Sequence, residues 1–144
     1  MVKYIAQCVT GTENFVMLEL NQLDSKIFNE EIFPGFIFFD YKGDPKNLLE
    51  LKTVDDILIL VKKLIEIDRY KKSLGKIRFQ LENINFIKQL FFIRKIRKTL
   101  EKINYNVTAS YIGRRDYKSS EIKESITRII NRHTDWKYNK EEYE

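Results

Sequence analysis

The order of short β-branched runs and helical stripes in the first 67 residues constrains the fold of this chain more than any other feature. Residues 2–9 form a short β-branched run, and Thr10-Gly11-Thr12 follows it, which predicts a strand that leads into a turn. From Glu13 to Leu23 the apolar positions approximate one helical face, with Thr12 as a candidate N-cap. A strand followed closely by a helix indicates a mixed α and β fold.

Two segments rich in Phe and Ile, residues 26–33 and 36–41, flank the dipeptide Pro34-Gly35, which favours a turn. Together they predict a β-hairpin. Asp44-Pro45 then places a capping side chain before a proline at the first helical position, which predicts a short helix that ends at about Leu51.

The next segment, residues 54–67, contains the uninterrupted apolar run 57–61, which favours a strand buried on both faces. The complete order is therefore β-α-β-β-α-β. This order is typical of the ferredoxin-like arrangement, in which one antiparallel sheet carries two helices on one face. We predict an α+β ferredoxin-like domain in residues 1–68.

Residues 69–144 predict a second module of mixed α and β structure. It begins with a polar connector at 69–75. Residues 83–103 then place apolar side chains along one helical face and basic side chains on the opposite face. A strand is predicted at 105–112, followed by a turn and a final helix over 121–133.

Charge is distributed very unevenly along the chain. Residues 69–118 hold 14 basic and 3 acidic residues, a surplus of 11, whereas residues 1–68 hold 7 basic and 12 acidic residues. A block this polarised costs self-repulsion in the folded state, which makes sense if a polyanion neutralises it. The pattern predicts a nucleic-acid partner, and the alternative is a solvated basic face without one.

The segment 111–120 joins a predicted strand end, the Gly113 turn and the start of the final helix. Its basic side chains can contact phosphates, its tyrosines can stack on unpaired bases, and a helix N-terminus offers free N–H groups. The alternative is a charged loop before a capped helix. The candidate RNA-binding residues on this segment and on the preceding basic helix are Arg94, Lys95, Arg97, Lys98, Tyr111, Arg114, Arg115, Tyr117, Lys118 and Ser119.

The chain has few residues that could build a catalytic or metal centre. The single cysteine, Cys8, excludes a disulfide framework and a Cys-based zinc site. The single histidine, His133, lies at the predicted C-terminus of a helix, where the helix dipole or solvent is its expected partner. No apolar run approaches the roughly 20 residues that span a bilayer, and no signal peptide is apparent. We expect a cytoplasmic protein with no metal site.

The chain resembles the N-terminal part of the THUMP-domain RNA-modifying proteins, specifically those that continue into a tRNA guanine-N2 methyltransferase. The resemblance is carried by ordered segments at residues 4–8, 11–13, 18–20, 35–39, 51–57, 105–111 and 114–121. It implies a ferredoxin-like unit joined to a THUMP module, which captures the acceptor stem and the 3′ CCA end of tRNA. It also implies that the module is incomplete at its C-terminal end.

In such proteins a separate domain binds S-adenosylmethionine and methylates the base. With prolines only at 34 and 45 and five separated glycines, this chain has neither the Asn/Asp-Pro-Pro-Tyr/Phe loop nor the glycine-rich turn of that domain. We therefore expect no cofactor and no catalysis in this chain, and a methyltransferase domain in the same parent chain or a separate one as its partner. The alternatives are a THUMP module of a 4-thiouridine synthetase or an acetylation adaptor, or a basic protein-interaction domain.

Overall fold

The structure, a computed structural model, describes residues 2–24 and 26–141 and has mixed α+β architecture with an antiparallel sheet and helices. The predicted α+β class is confirmed. The chain divides into two compact units, one of Met1–Val61 with Phe91–Lys98, and one of Lys62–Leu90 with Thr99–Glu144. No helix among the described residues is both long and apolar enough to cross a membrane.

The first unit is built on a four-stranded antiparallel sheet in the order β2-β3-β1-β4. Its elements are β1 (Lys3–Gln7), α1 (Glu13–Leu23), β2 (Ile27–Phe33), β3 (Phe36–Tyr41), a 3₁₀ helix (Pro45–Glu50) and β4 (Asp56–Ile59). Alternate side chains of β1 and β3 face the core, as the period of a strand requires. The core holds the fully buried side chains of Val16, Leu20, Ile37, Phe39 and Leu48.

The order of strands and helices predicted for the first half is confirmed, with two differences. The segment after Asp44 is a 3₁₀ helix, and the Asp44 carboxylate caps it by accepting a hydrogen bond from the Lys46 N–H at 3.0 Å. The predicted strand 54–67 shrinks to β4, because its only neighbour in the sheet is β1 and that pairing ends at Tyr4 and Ile59. Strand length here depends on the partner.

Two carboxylates of α1 accept hydrogen bonds from loops of the first unit. Glu13 accepts hydrogen bonds from the N–H groups of Gly35 at 2.7 Å and Gly11 at 2.9 Å, and these bonds lower its pKa. Glu19 accepts from the N–H of Lys52 at 2.6 Å and from the N–H and hydroxyl of Thr53. Burial raises the pKa of Glu19, but these hydrogen bonds outweigh it and the pKa falls below its usual value.

The second unit contains α2 (Ser73–Leu81), β5 (Asn104–Tyr105), α4 (Ser119–His133) and β6 (Lys137–Tyr138). Helix α3 (Phe86–Ile96) begins in this unit and ends in the first. The strands β5 and β6 pair in parallel. A small core of Tyr105, Val107 and Ile130 packs against partly buried side chains, which include Phe86 and Trp136.

Three sequence predictions for the second half are wrong in extent. Helix α2 occupies part of the predicted polar connector. Helix α3 ends at Ile96 rather than near residue 103, because Ile96 is buried in the first core and Arg97 bonds to β4. The predicted strand 105–112 is reduced to β5, because β6 offers it only two partner residues. The final helix is confirmed.

Candidate nucleic-acid interface

The predicted RNA-binding residues form two groups, one in each compact unit. Arg94 and Lys95 lie in the last turn of α3, and Arg97 and Lys98 follow its end, all within the first unit. The remaining residues, from Tyr111 to Ser119, lie in the second unit, before and at the start of α4.

The group at the end of α3 is exposed, and the charge of Arg97 is paired. The Arg97 guanidinium lies 3.1 Å from the Asp56 carboxylate and donates to the Ile57 carbonyl at 3.3 Å. The Lys95 ammonium lies 4.7 Å from the centre of the Phe91 ring, an aromatic ring that is itself 58% exposed. The Asp56 carboxylate therefore offsets the charge of Arg97, whereas Lys95 and Lys98 are exposed.

The segment that precedes α4 turns at Gly113, whose φ of +84° favours glycine. Arg114 on the far side of the turn is exposed, while Arg115 is half-buried. The Nε atom of Arg115 is buried without a hydrogen-bond partner among the described residues. Lys118 precedes the helix and Ser119 is its first residue. The Glu121 N–H donates to the Lys118 carbonyl at 3.0 Å, so only the N–H groups of Ser119 and Ser120 in the first turn lack an intrahelical acceptor.

Tyr117 has a role different from the predicted one. Its side chain is only 3% exposed, and its hydroxyl donates a hydrogen bond to the Asp68 carbonyl at 3.0 Å. A ring buried in this way cannot stack on an unpaired base, so the stacking role predicted for Tyr117 is corrected to a structural one. Tyr111 packs against it edge-on, with 6.4 Å between ring centres, and is 42% exposed.

The same contacts bring a second basic segment to the start of α4. The Asp116 N–H donates to the Arg69 carbonyl at 2.8 Å, and the Lys71 ammonium lies 3.5 Å from the Glu121 carboxylate. Arg69 and Lys72 both lie over the Tyr70 ring, at 5.0 and 5.8 Å from its centre. The interleaving of basic and aromatic residues in Arg69-Tyr70-Lys71-Lys72 was the available signal, although the segment 69–75 was predicted to be a polar connector.

We call these two segments together the α4 cluster. It comprises Arg69, Tyr70, Lys71, Lys72, Tyr111, Arg114, Arg115 and Lys118. Two acidic residues beside it stay ionised: hydrogen bonds from the Ser73 hydroxyl and the Tyr70 N–H lower the pKa of Asp68, and one from the Lys118 N–H lowers the pKa of Glu121. Six cations nevertheless outnumber Asp68, Asp116 and Glu121, and the whole second unit holds 17 basic against 11 acidic residues.

The turn between β1 and α1 differs from the turn with which a nucleotide-cofactor fold binds its ligand. Such a fold uses a glycine-rich turn between a strand of a parallel sheet and a helix. Here the turn between β1 and α1 has one glycine, Gly11, and β1 lies in an antiparallel sheet. No set of His, Cys, Asp and Glu side chains in the described part of the chain is grouped to hold a metal ion.

No protein-family model and no curated protein matches the sequence. Among solved structures, the chain is similar to the crystal structure of TrmN from Thermus thermophilus, with a TM-score of 0.76 and 13% identity over 99% of this chain. It is also similar to the crystal structure of a predicted N6-adenine-specific DNA methylase from Listeria monocytogenes, with a TM-score of 0.65 and 14% identity over 93% of this chain. The chain spans 40% of the first of these proteins and 33% of the second. It shares the fold of those parts.

Proposed function

We propose that this chain is a tRNA-binding THUMP module, which captures the acceptor stem and 3′ CCA end for an S-adenosylmethionine-dependent tRNA (guanine-N2) methyltransferase. The fold shared with TrmN, a tRNA methyltransferase, over 99% of this chain supports the proposal. Methyl transfer itself belongs to a separate domain, in the same parent chain or in a partner. This chain holds the RNA.

The sheet order of the first unit supports its assignment as ferredoxin-like. In that arrangement one helix connects β1 to β2, a second helix connects β3 to β4, and β1 and β3 are the two central strands of the sheet. Here α1 makes the first connection and the 3₁₀ helix makes the second, in a sheet of order β2-β3-β1-β4. The second helix of the motif is thus reduced to a 3₁₀ helix.

The α4 cluster is the observation that carries the proposal. Two segments about 40 residues apart in sequence are held together there by the Asp116–Arg69 and Tyr117–Asp68 hydrogen bonds. Their cations are positioned to contact a phosphate backbone, which fixes register and orientation. The exposed rings of Tyr70 and Tyr111 can stack on bases of an unpaired segment, which is how proteins recognise single-stranded RNA.

Fluorescence anisotropy with labelled tRNA across a salt series tests the proposal. Arg114→Glu/Arg115→Glu is expected to weaken binding and to reduce the slope of log affinity against log salt by about 2, because each lost phosphate contact contributes about 1. The matched control is Lys26→Glu/Lys46→Glu, which makes the same charge change on two exposed lysines of the first unit. The control should bind almost as wild type.

Binding that is absent at low salt, or that does not weaken as salt rises, would refute the proposal. An equal loss of tRNA affinity in both double variants would show that the affinity depends on net charge alone and not on the position of the charges. A tRNA without its 3′ CCA should bind more weakly than intact tRNA if the acceptor end is held. A DNA duplex of matched length should bind more weakly than either, which distinguishes this function from that named for the Listeria protein.

A further inference from the structure

A cavity of about 310 Å³ lies in the second unit, away from the α4 cluster residues. One side is formed by the turn between α2 and α3 with the start of α3, residues 82–87, and the other by His133 at the end of α4. Small-molecule sites typically begin at about 300 Å³, so the cavity suits one nucleoside rather than a longer ligand.

Aromatic rings line the cavity. The rings of Phe86 and His133 have centres 6.5 Å apart and an angle of 36° between their planes. Phe86 also packs edge-on against Trp136, with 6.3 Å between ring centres, and against the small core of the second unit. One ring is therefore fixed by packing, while His133 is partly exposed at the rim. Such rings offer flat apolar faces to a base.

Amide groups line the same cavity. Asn83 is exposed, and its side chain has no hydrogen-bond partner in the described part of the chain. Asn85 uses its side-chain oxygen to accept the Lys88 N–H at 2.9 Å, which leaves its NH₂ group to donate. A side-chain amide carries both donors and acceptors, which matches the mixed donor and acceptor edge of a nucleobase.

The charges of the cavity disfavour a phosphate. The Glu82 carboxylate lies 2.5 Å from Arg132 and 3.5 Å from His133, so the positive charge there is already engaged by a carboxylate. An oxyanion would meet the Glu82 charge, whereas the amino or imino group of a base could donate to it. The residues that line the cavity therefore fit a nucleobase better than a phosphate of the RNA backbone.

We infer that this cavity, the Asn83–His133 pocket, receives one unpaired nucleobase of the bound RNA, with the His133 ring, which packs against Phe86, on one face of the base and Asn83 at its edge. The inference rests on the proposed function, since it names a second contact with the same RNA. It adds a base contact outside the α4 cluster to the phosphate contacts and the tyrosine stacking proposed for that cluster.

A pair of hairpin RNAs tests the inference. Both carry the same short single-stranded extension, but in one of them the extension is abasic, so the two RNAs have equal charge. Stacking of a base is worth a few kcal/mol in such complexes, and the wild-type chain is expected to bind the intact extension at least about fivefold more tightly. In Asn83→Ala and His133→Ala this preference should be clearly smaller than in the wild-type chain, while Asn14→Ala, a change at an exposed asparagine of α1, should keep it.

Melting curves confirm that each variant is folded before its affinity is compared. If the wild-type chain binds both hairpins equally and in a salt-dependent manner, the pocket inference fails and the proposed function stands. If both pocket variants keep the full preference for the intact extension, base recognition lies elsewhere and the inference is likewise overturned. If neither hairpin binds at all, the proposed function fails together with it.

Discussion

Tyr117 offers a direct test of how the α4 cluster is built. Its hydroxyl bonds to the Asp68 carbonyl, and its ring is buried beside Tyr111, so it ties the segment that begins at Arg69 to the start of α4. Two substitutions separate these contributions. Tyr117→Phe removes only the hydrogen bond, and Tyr117→Ala removes the ring as well.

The size of each effect follows from burial. Loss of one hydrogen bond, with a carbonyl left unpaired, should cost about 1 to 3 kcal/mol in the free energy of unfolding. Loss of a buried aromatic ring adds a cavity, and Tyr117→Ala should cost about 3 to 5 kcal/mol. At the same time RNA affinity should fall in Tyr117→Phe, because one of the two hydrogen bonds that hold the segment of Arg69 and Lys72 at the start of α4 is lost.

Urea denaturation measures the stability of both variants, and anisotropy with tRNA measures affinity in the range where each is folded. Tyr111→Ala, at a tyrosine that is 42% exposed, is the matched control and should change stability much less. If Tyr117→Ala keeps wild-type stability yet loses RNA affinity, Tyr117 is a base-stacking residue after all. The structural role assigned to it would then be refuted.

Three further predictions concern the first unit. Leu20→Ala, at a fully buried position, should lower the free energy of unfolding by about 3 kcal/mol, and an unchanged urea midpoint would contradict the core described here. Gly43→Ala should cost about 1 to 3 kcal/mol, because the added Cβ would clash with the Tyr41 hydroxyl, which is itself bonded to Asp24; a wild-type melting temperature would refute this. The pKa values of Glu13 and Glu19 are lowered in the folded state, so their stabilisation is present above the usual value of 4.5 and is lost as pH falls through the lowered values. A series of melting curves from pH 7 to pH 3 should therefore show a decline that is shallower in Glu19→Gln, and parallel declines would exclude this role.

Local signals predicted some of the candidate site and not the rest. Gly113, the serines at 119 and 120 and the helical period of residues 121–133 indicated the turn and α4, because each signal depends only on neighbouring residues. The burial of Tyr117 depends on Asp68, 49 residues away, so no local pattern could reveal it. The pairing of Arg97 with Asp56 was hidden for the same reason.

By itself the sequence determined α1, the hairpin around Pro34-Gly35, the cap at Asp44 and α4, since side-chain period and turn chemistry act over a few residues. It also determined that positive charge is concentrated in residues 69–118. Only the tertiary structure decided where β4 and β5 end, because a strand extends only as far as its partner. It also brought Arg69 to Lys72 beside α4, because contacts between distant segments are set by the packing of the whole unit.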